Sequence, residues 1–261
     1  MEVHAHTHTP RKKWTHYFWE FLMLFLAVFA GFLAENMREH LIERKKEKEY
    51  IHSLVEDLHF DEHTLQGAVP LMKKTLLGLD TLINQVYLAI DGKADTKLMY
   101  YAYHHYCRSI FNLELSEKTL VQLQNSGNMR LIHDKDAAEI IMRMSTGLDI
   151  LKEQTRFIKA RQEDPASFGM KIFDFREYQK ANITPDGTMN RNDDGFFSMP
   201  TAPALNYTEP LYLKEFAARI GYYRNSFSEY VNYLSSGIPK IQQATAYLVK
   251  RYKIKEEETG H

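Results

Sequence analysis

The apolar positions of this chain form one unbroken run, then a series of spaced stripes. The run is 17–34 (YFWEFLMLFLAVFAGFLA), with Glu20 as its only charge. As a helix it is roughly 27 Å long, close to the ~30 Å of a bilayer's hydrocarbon core. Trp14, Tyr17 and Trp19 gather at one end, where amphipathic rings favour the headgroup level. The apolar side chains gain about 5 kcal/mol on insertion, and Glu20, in the first turn, can snorkel. Two other readings compete with a membrane helix. A buried core helix usually keeps a polar face, and 21–34 has none. A cleaved signal peptide would use Arg11, Lys12 and Lys13 as its basic region and Val28-Phe29-Ala30 as its cleavage site. Against cleavage, the apolar run continues through Phe32 and Leu33 into helix-forming sequence.

Beyond the run the pattern changes to helical stripes. Residues 43–50 (ERKKEKEY) carry almost no apolar face and read as a wet stalk laced by pairs such as Glu43–Lys46 and Lys45–Glu49. The stripe resumes at Ile51, Val55 and Leu58. Leu65, Val69, Met72, Leu76, Leu79, Ile83, Val86 and Ile90 then alternate spacings of four and three, a seam of the kind that packs in bundles and coiled coils. Gly67 and Pro70 predict a break or kink at its start, and Asp91-Gly92 its end. A further helix is expected from about Thr96 to Ile110. Ser116 is expected to cap a short one ending at Gly127. Asp134 is expected to cap a long helix with the seam Ala137, Ile141, Met144, Leu148, Leu151, Thr155 and Ile158, ended or kinked by Pro165.

Residues 181–209 read as a long irregular insert, with turn signals at Pro185-Asp186-Gly187 and Asp193-Asp194-Gly195. Phe196, Phe197 and Met199 are costly to leave wet, so they either lid the bundle or meet a partner. Two closing helices follow, on the seams Leu213 to Leu234 and Ile238 to Tyr252, with a turn at Gly237 and Pro239. The expected fold is all-α. A transmembrane helix at 17–34 follows a disordered basic and histidine-bearing tail at 1–16. It continues through a helical stalk at 35–66 into an antiparallel helical bundle at 67–256, with a tail at 257–261.

Composition narrows the function more by exclusion than by assignment. Net charge is −1, so no global field attracts nucleic acid. The single cysteine, Cys107, excludes an intramolecular disulfide. No glycine-rich phosphate loop and no G-x-S-x-G elbow occurs. His59, Glu62 and His63 match the zinc-protease pattern H-x-x-E-H, but a stalk helix offers no cleft, and a structural or solvent-facing role is the reading adopted. His4, His6 and His8 lack a cysteine or carboxylate to complete a closed set of metal ligands. Asn190, Asn192, Asp194 and Gly195 imitate half a calcium loop, but Thr201 stands where glutamate is required. Tyr100, Tyr103, His104 and Cys107 share a helix face. Core packing with buried hydroxyl bonds is the first reading there, and a metal or small-ligand pocket the alternative. No catalytic, cofactor-binding or metal residue is assigned.

The apolar run itself carries one constellation. At roughly 100° per residue, Glu20, Leu24, Ala27, Gly31, Ala34 and Arg38 fall on one face. Ala27 and Gly31 form a small-xxx-small pair that admits a second helix. Glu20, Ala27, Gly31 and Ala34 are therefore the candidate helix-packing face. The competing reading is a monomeric anchor whose small residues happen to align.

The block 20–58 (EFLMLFLAVFAGFLAENMREHLIERKKEKEYIHSLVEDL) is similar to the start of a bacterial family of single-span membrane proteins of unknown function, whose short tails begin M-E-V-H. The stretch 119–132 (TLVQLQNSGNMRLI) resembles a second block of that family, in the same order. The resemblance implies a membrane location and a helical domain, and brings no catalytic residues. Arg11, Lys12 and Lys13 precede the run and Arg38, Arg44, Lys45, Lys46 and Lys48 follow it, a tally that slightly favours the C-terminal side as cytoplasmic. The short basic tail just ahead of the run argues the other way, for tail inside and large domain outside, and that is the reading adopted. The expectation is thus a single-pass protein of the bacterial inner membrane with a periplasmic bundle. Its partners are the lipid bilayer and either a second copy or another membrane protein. The expected role is a non-enzymatic scaffold, assembly or sensor-like component.

Overall fold

A single helix, α1 (Trp14–Ile90), carries both the apolar run and the first seam in this computed structural model, which describes residues 14–109, 112–182 and 195–255. The histidines at 4, 6 and 8, the turn at 185–187, the partial calcium loop up to Asp194 and the tail 257–261 lie outside the described residues. The first residue of α1 to be buried is Glu47. From there Ile51, Leu54, Leu58, Leu65, Val69, Met72, Leu79, Leu82 and Val86 face the interior. The bundle therefore begins at Glu47, inside the span 35–66 read as stalk, because the last helix is long enough to cover α1 down to that point. The apolar window at the start of α1 has mean hydropathy 1.9, none of it is buried, and the helix is long and apolar enough to cross a membrane.

The break expected at Gly67 and Pro70 does not occur, and neither does the turn at Gly237 and Pro239. Each proline removes one helical N–H and crowds the carbonyl four residues back, at a cost of about 3 kcal/mol. Both prolines are exposed, so the carbonyls they strand, on Gln66 and Ser235, are on the wetter side of their helices. On the opposite side, Leu65, Val69 and Met72 of α1 and Leu234 and Ile241 of α6 (Pro210–Tyr252) are buried. Burial of each such side chain stabilises by roughly 1.5–3 kcal/mol, so the seam outweighs the proline. Pro165, inside α4 (Lys135–Ile172), is by contrast buried, and that helix too runs on through its proline.

Three long helices form the frame. Tyr252 bonds Glu47 at 2.7 Å, Gln242 bonds Glu62 at 2.7 Å and Arg224 bonds Asp80 at 2.8 Å, so α6 runs antiparallel to α1. Tyr247 meets Asp134 at 3.0 Å and Tyr230 meets Thr155 at 2.8 Å, so α6 is antiparallel to α4 as well. All seven positions of the Leu213-to-Leu234 seam are buried. The chain between α1 and α4 fills the space between them. It holds α2 (Thr96–Ala102), a π-helical turn over Tyr103–Arg108, α3 (Lys118–Asn125) and a 3-10 turn over Asn128–Leu131. Gly127 stops α3 with φ 66°, a left-handed conformation that glycine adopts without strain. Asp134 caps α4 as the sequence predicts, accepting from the Ala137 amide at 2.9 Å. The π turn packs tightly: a Cβ on Gly78 would stand 2.1 Å from the Tyr106 ring, and one on Gly169 2.3 Å from the Tyr103 ring.

The insert contributes a lid. Phe196 and Met199 are buried over α2, while Phe197 stays half-exposed. Lys97 holds the segment by donating to the Phe197 and Met199 carbonyls, at 3.3 and 2.5 Å. A short bridge joins Phe173 to Leu205, and α5 (Phe175–Asn182), which has no counterpart in the stripes, closes the same end.

Candidate functional site

Because α1 is unbroken, the small-residue face of its apolar segment is a real surface. Glu20, Ala27, Gly31 and Ala34 are all exposed, and a side chain added at Gly31 would meet nothing within 4 Å. Phe21, Phe25 and Phe29 stack along the far side, with ring centroids 6.3 and 5.9 Å apart. Bulk thus lies on one side of the helix and a shallow strip on the other. Glu20 and Arg38 do not pair with each other. Glu20 lies 3.0 Å from His16, and Arg38 makes a two-pronged bond to Glu35 at 3.0 and 2.5 Å. This strip can pack against a helix, and it carries no reactive group beyond Glu20.

The base of the bundle is tied by a polar network. Glu47 is buried and accepts from the His133 amide at 2.9 Å and the Tyr252 hydroxyl at 2.7 Å. His133 Nδ1 lies 2.7 Å from the Leu131 carbonyl and 3.3 Å from Glu47, two acceptors, so it carries the ring hydrogen. Asp134 adds Tyr247 and Arg251 to its capping bond, and these hold its carboxyl below the usual range, the Ala137 amide contributing most. Asn128 donates to the Tyr50 hydroxyl at 2.6 Å. Two stretches of chain, 128–133 and the end of α6, are therefore bonded to α1 where it enters the bundle, and Asp134 bonds the start of α4 to α6.

Further along α1, a cleft of about 1050 Å³ opens between α1, α3, α4 and α6. Its wall is mainly aliphatic, with Leu58, Leu65, Leu120, Met144, Leu148 and Ile241 among its residues. Two carboxylates one helical turn apart enter it from α1. Asp57 accepts from the Ser116 hydroxyl at 2.6 Å and the Thr119 amide at 3.1 Å. It thereby serves as the cap of α3, because Glu117, the residue at the N-cap position just before that helix, makes no side-chain capping bond. Ser116 does not cap α3 itself, because its side chain is turned to Asp57. Asp61 is only 3% exposed and accepts the Ser116 amide on Oδ1 at 2.6 Å. Burial pushes its pKa up to about 7, the Asp57 charge adds to that, and the Ser116 bond opposes it.

Sequence reasoning passed over Glu47, Asp57 and Asp61. A signal for two of them was present. Continuing the alternation of four and three backward from Leu65 gives Asp61, Leu58, Leu54, Ile51 and Glu47, so two acids occupy seam positions.

The tyrosine and histidine helix is core. Tyr100 donates to the Ala204 carbonyl at 2.7 Å and accepts the Asp174 amide at 2.8 Å, and Tyr103 donates to the Ala166 carbonyl at 2.5 Å. Their hydroxyls are committed to backbone, and burial pushes the Cys107 thiol up to about 12. His59 and His63 are exposed, and Glu62 accepts from Gln66 and Gln242. Among the described residues no cluster of three metal-ligating side chains occurs. No protein-family model, curated protein or solved structure matches the chain.

Proposed function

We propose that this chain is a single-pass protein of the bacterial inner membrane with its bundle on the periplasmic side. In this reading it acts without catalysis, as a scaffold, assembly or sensor-like component working through helix contacts. The observation that carries it is the continuity of α1. One helix holds an unburied apolar segment at one end and supplies the main seam of the bundle at the other. A core helix of a soluble domain would bury that segment. The split between a phenylalanine side and a small-residue side gives the membrane segment a face for a partner helix, either a second copy or another membrane protein. The blocks at 20–58 and 119–132 support the same reading through the family they resemble.

Disulfide trapping in isolated membranes tests it. Ala27→Cys, on the small-residue face, is expected to cross-link to a second copy or to a discrete neighbour, whereas Phe29→Cys, on the opposite face, is not. Adding Gly31→Leu to Ala27→Cys is expected to cut the yield several-fold. Equal cross-linking from both faces, or none from either, contradicts a packing role.

A further inference from the structure

The aliphatic cleft around Asp61 is built in a way that packing does not account for. Its volume of about 1050 Å³ suits a drug-sized organic molecule. A leucine at position 61 would continue the α1 seam and help to fill it. The chain places a carboxylate there instead, 3% exposed, and uses one oxygen for the Ser116 amide. Among the described residues nothing partners the other oxygen, Oδ2, and no basic side chain is paired with Asp57 or Asp61. Arg143, which also lines the cleft, is paired with Glu139 at 2.5 Å.

We propose that this cleft binds a small amphiphilic monoamine, its ammonium on the Asp61 carboxylate and its apolar body against the leucine and methionine wall. A buried carboxylate is strongly stabilised by an opposite charge in a low-dielectric site. An ammonium supplies that charge and several donors at once, and Asp57, one turn away, adds to the negative potential. A fatty acid would bring another anion beside two carboxylates. A hard divalent cation needs six or more oxygen ligands, which an aliphatic wall does not offer. A monoamine with a hydrocarbon body matches both the charge and the wall.

The test uses the full chain in lipid nanodiscs at pH 8, with empty nanodiscs subtracted, and calorimetric titration of 4-phenylbutylamine, 4-phenylbutan-1-ol and 4-phenylbutanoate. The amine is expected to bind saturably, about tenfold or more tighter than the alcohol, with the acid weakest. Asp61→Asn is expected to abolish the preference for amine over alcohol. Leu148→Trp, which fills the cleft and leaves Asp61 in place, is expected to weaken amine and alcohol alike by about tenfold, with helical content unchanged. No saturable amine binding, equal affinity for amine and alcohol, or an undiminished amine preference in Asp61→Asn overturns the proposal.

Discussion

Folded, Asp61 keeps its proton up to a pH of about 7, whereas an aspartate in an unfolded chain loses it near 3.9. Between those values the native state binds more protons than the unfolded one. Stability contributed at this position therefore falls as pH rises from about 4 to about 7, and the full cost is present above 7. Asp57 on α1, Glu139 and Arg143 on α4, and Tyr233, Lys240 and Tyr247 on α6 line the same cleft. Asp61→Asn keeps an acceptor for the Ser116 amide and removes the charge. The variant is expected to melt above the parent at pH 8, with the gap closing as pH falls from 7 to 4; a gap independent of pH contradicts the assignment. Glu47 is the opposite case. Its carboxylate is the acceptor for two buried-side donors, and removing it strands both. Glu47→Ala is expected to cost about 2–3 kcal/mol in denaturant unfolding, while exposed Glu49→Ala stays within about 0.5 kcal/mol. Glu47 does not stand out in sequence on charge alone, because 43–50 is crowded with charges. Only the seam register separates Glu47 from Glu49, and only the fold shows that Ser116 and Thr119 are what Asp57 and Asp61 meet.

At the scale of elements, what the sequence makes legible is periodicity, and what it hides is continuity. The seams at 65–90, 137–158 and 213–234 face inward as their spacing predicts, and the Asp134 cap and Gly127 stop sit where side-chain chemistry puts them. The helix breaks read from Pro70 and Pro239 fail because a local cost of about 3 kcal/mol is smaller than the burial gained on both sides of it. That comparison needs the partner helix, which no local window contains. It also makes a prediction. Pro70→Ala restores the N–H facing the Gln66 carbonyl at an exposed site, so it is expected to stabilise the bundle by roughly 1–3 kcal/mol. An unchanged or lower unfolding midpoint would mean that the proline is already accommodated by a bend.

At the scale of the molecule, the consequence of an unbroken α1 is mechanical. A rotation or shift of its apolar segment has no joint in which to dissipate before Glu47, where His133 and Tyr252 are bonded to it and Asp134 joins the start of α4 to α6 through Tyr247 and Arg251. In the proposed role, a change at the apolar segment and the bundle's packing are then parts of one continuous element. The most direct test is the distance between spin labels at Leu41→Cys and Leu77→Cys, both exposed positions, in the full chain in nanodiscs. The native Cys107 thiol is fully buried and stays unlabelled. A continuous helix places those two backbone positions about 54 Å apart. A single narrow distribution near that value is the expected result, and a broad or clearly shorter one, signalling a hinge at the stalk or at Gly67 and Pro70, contradicts the account.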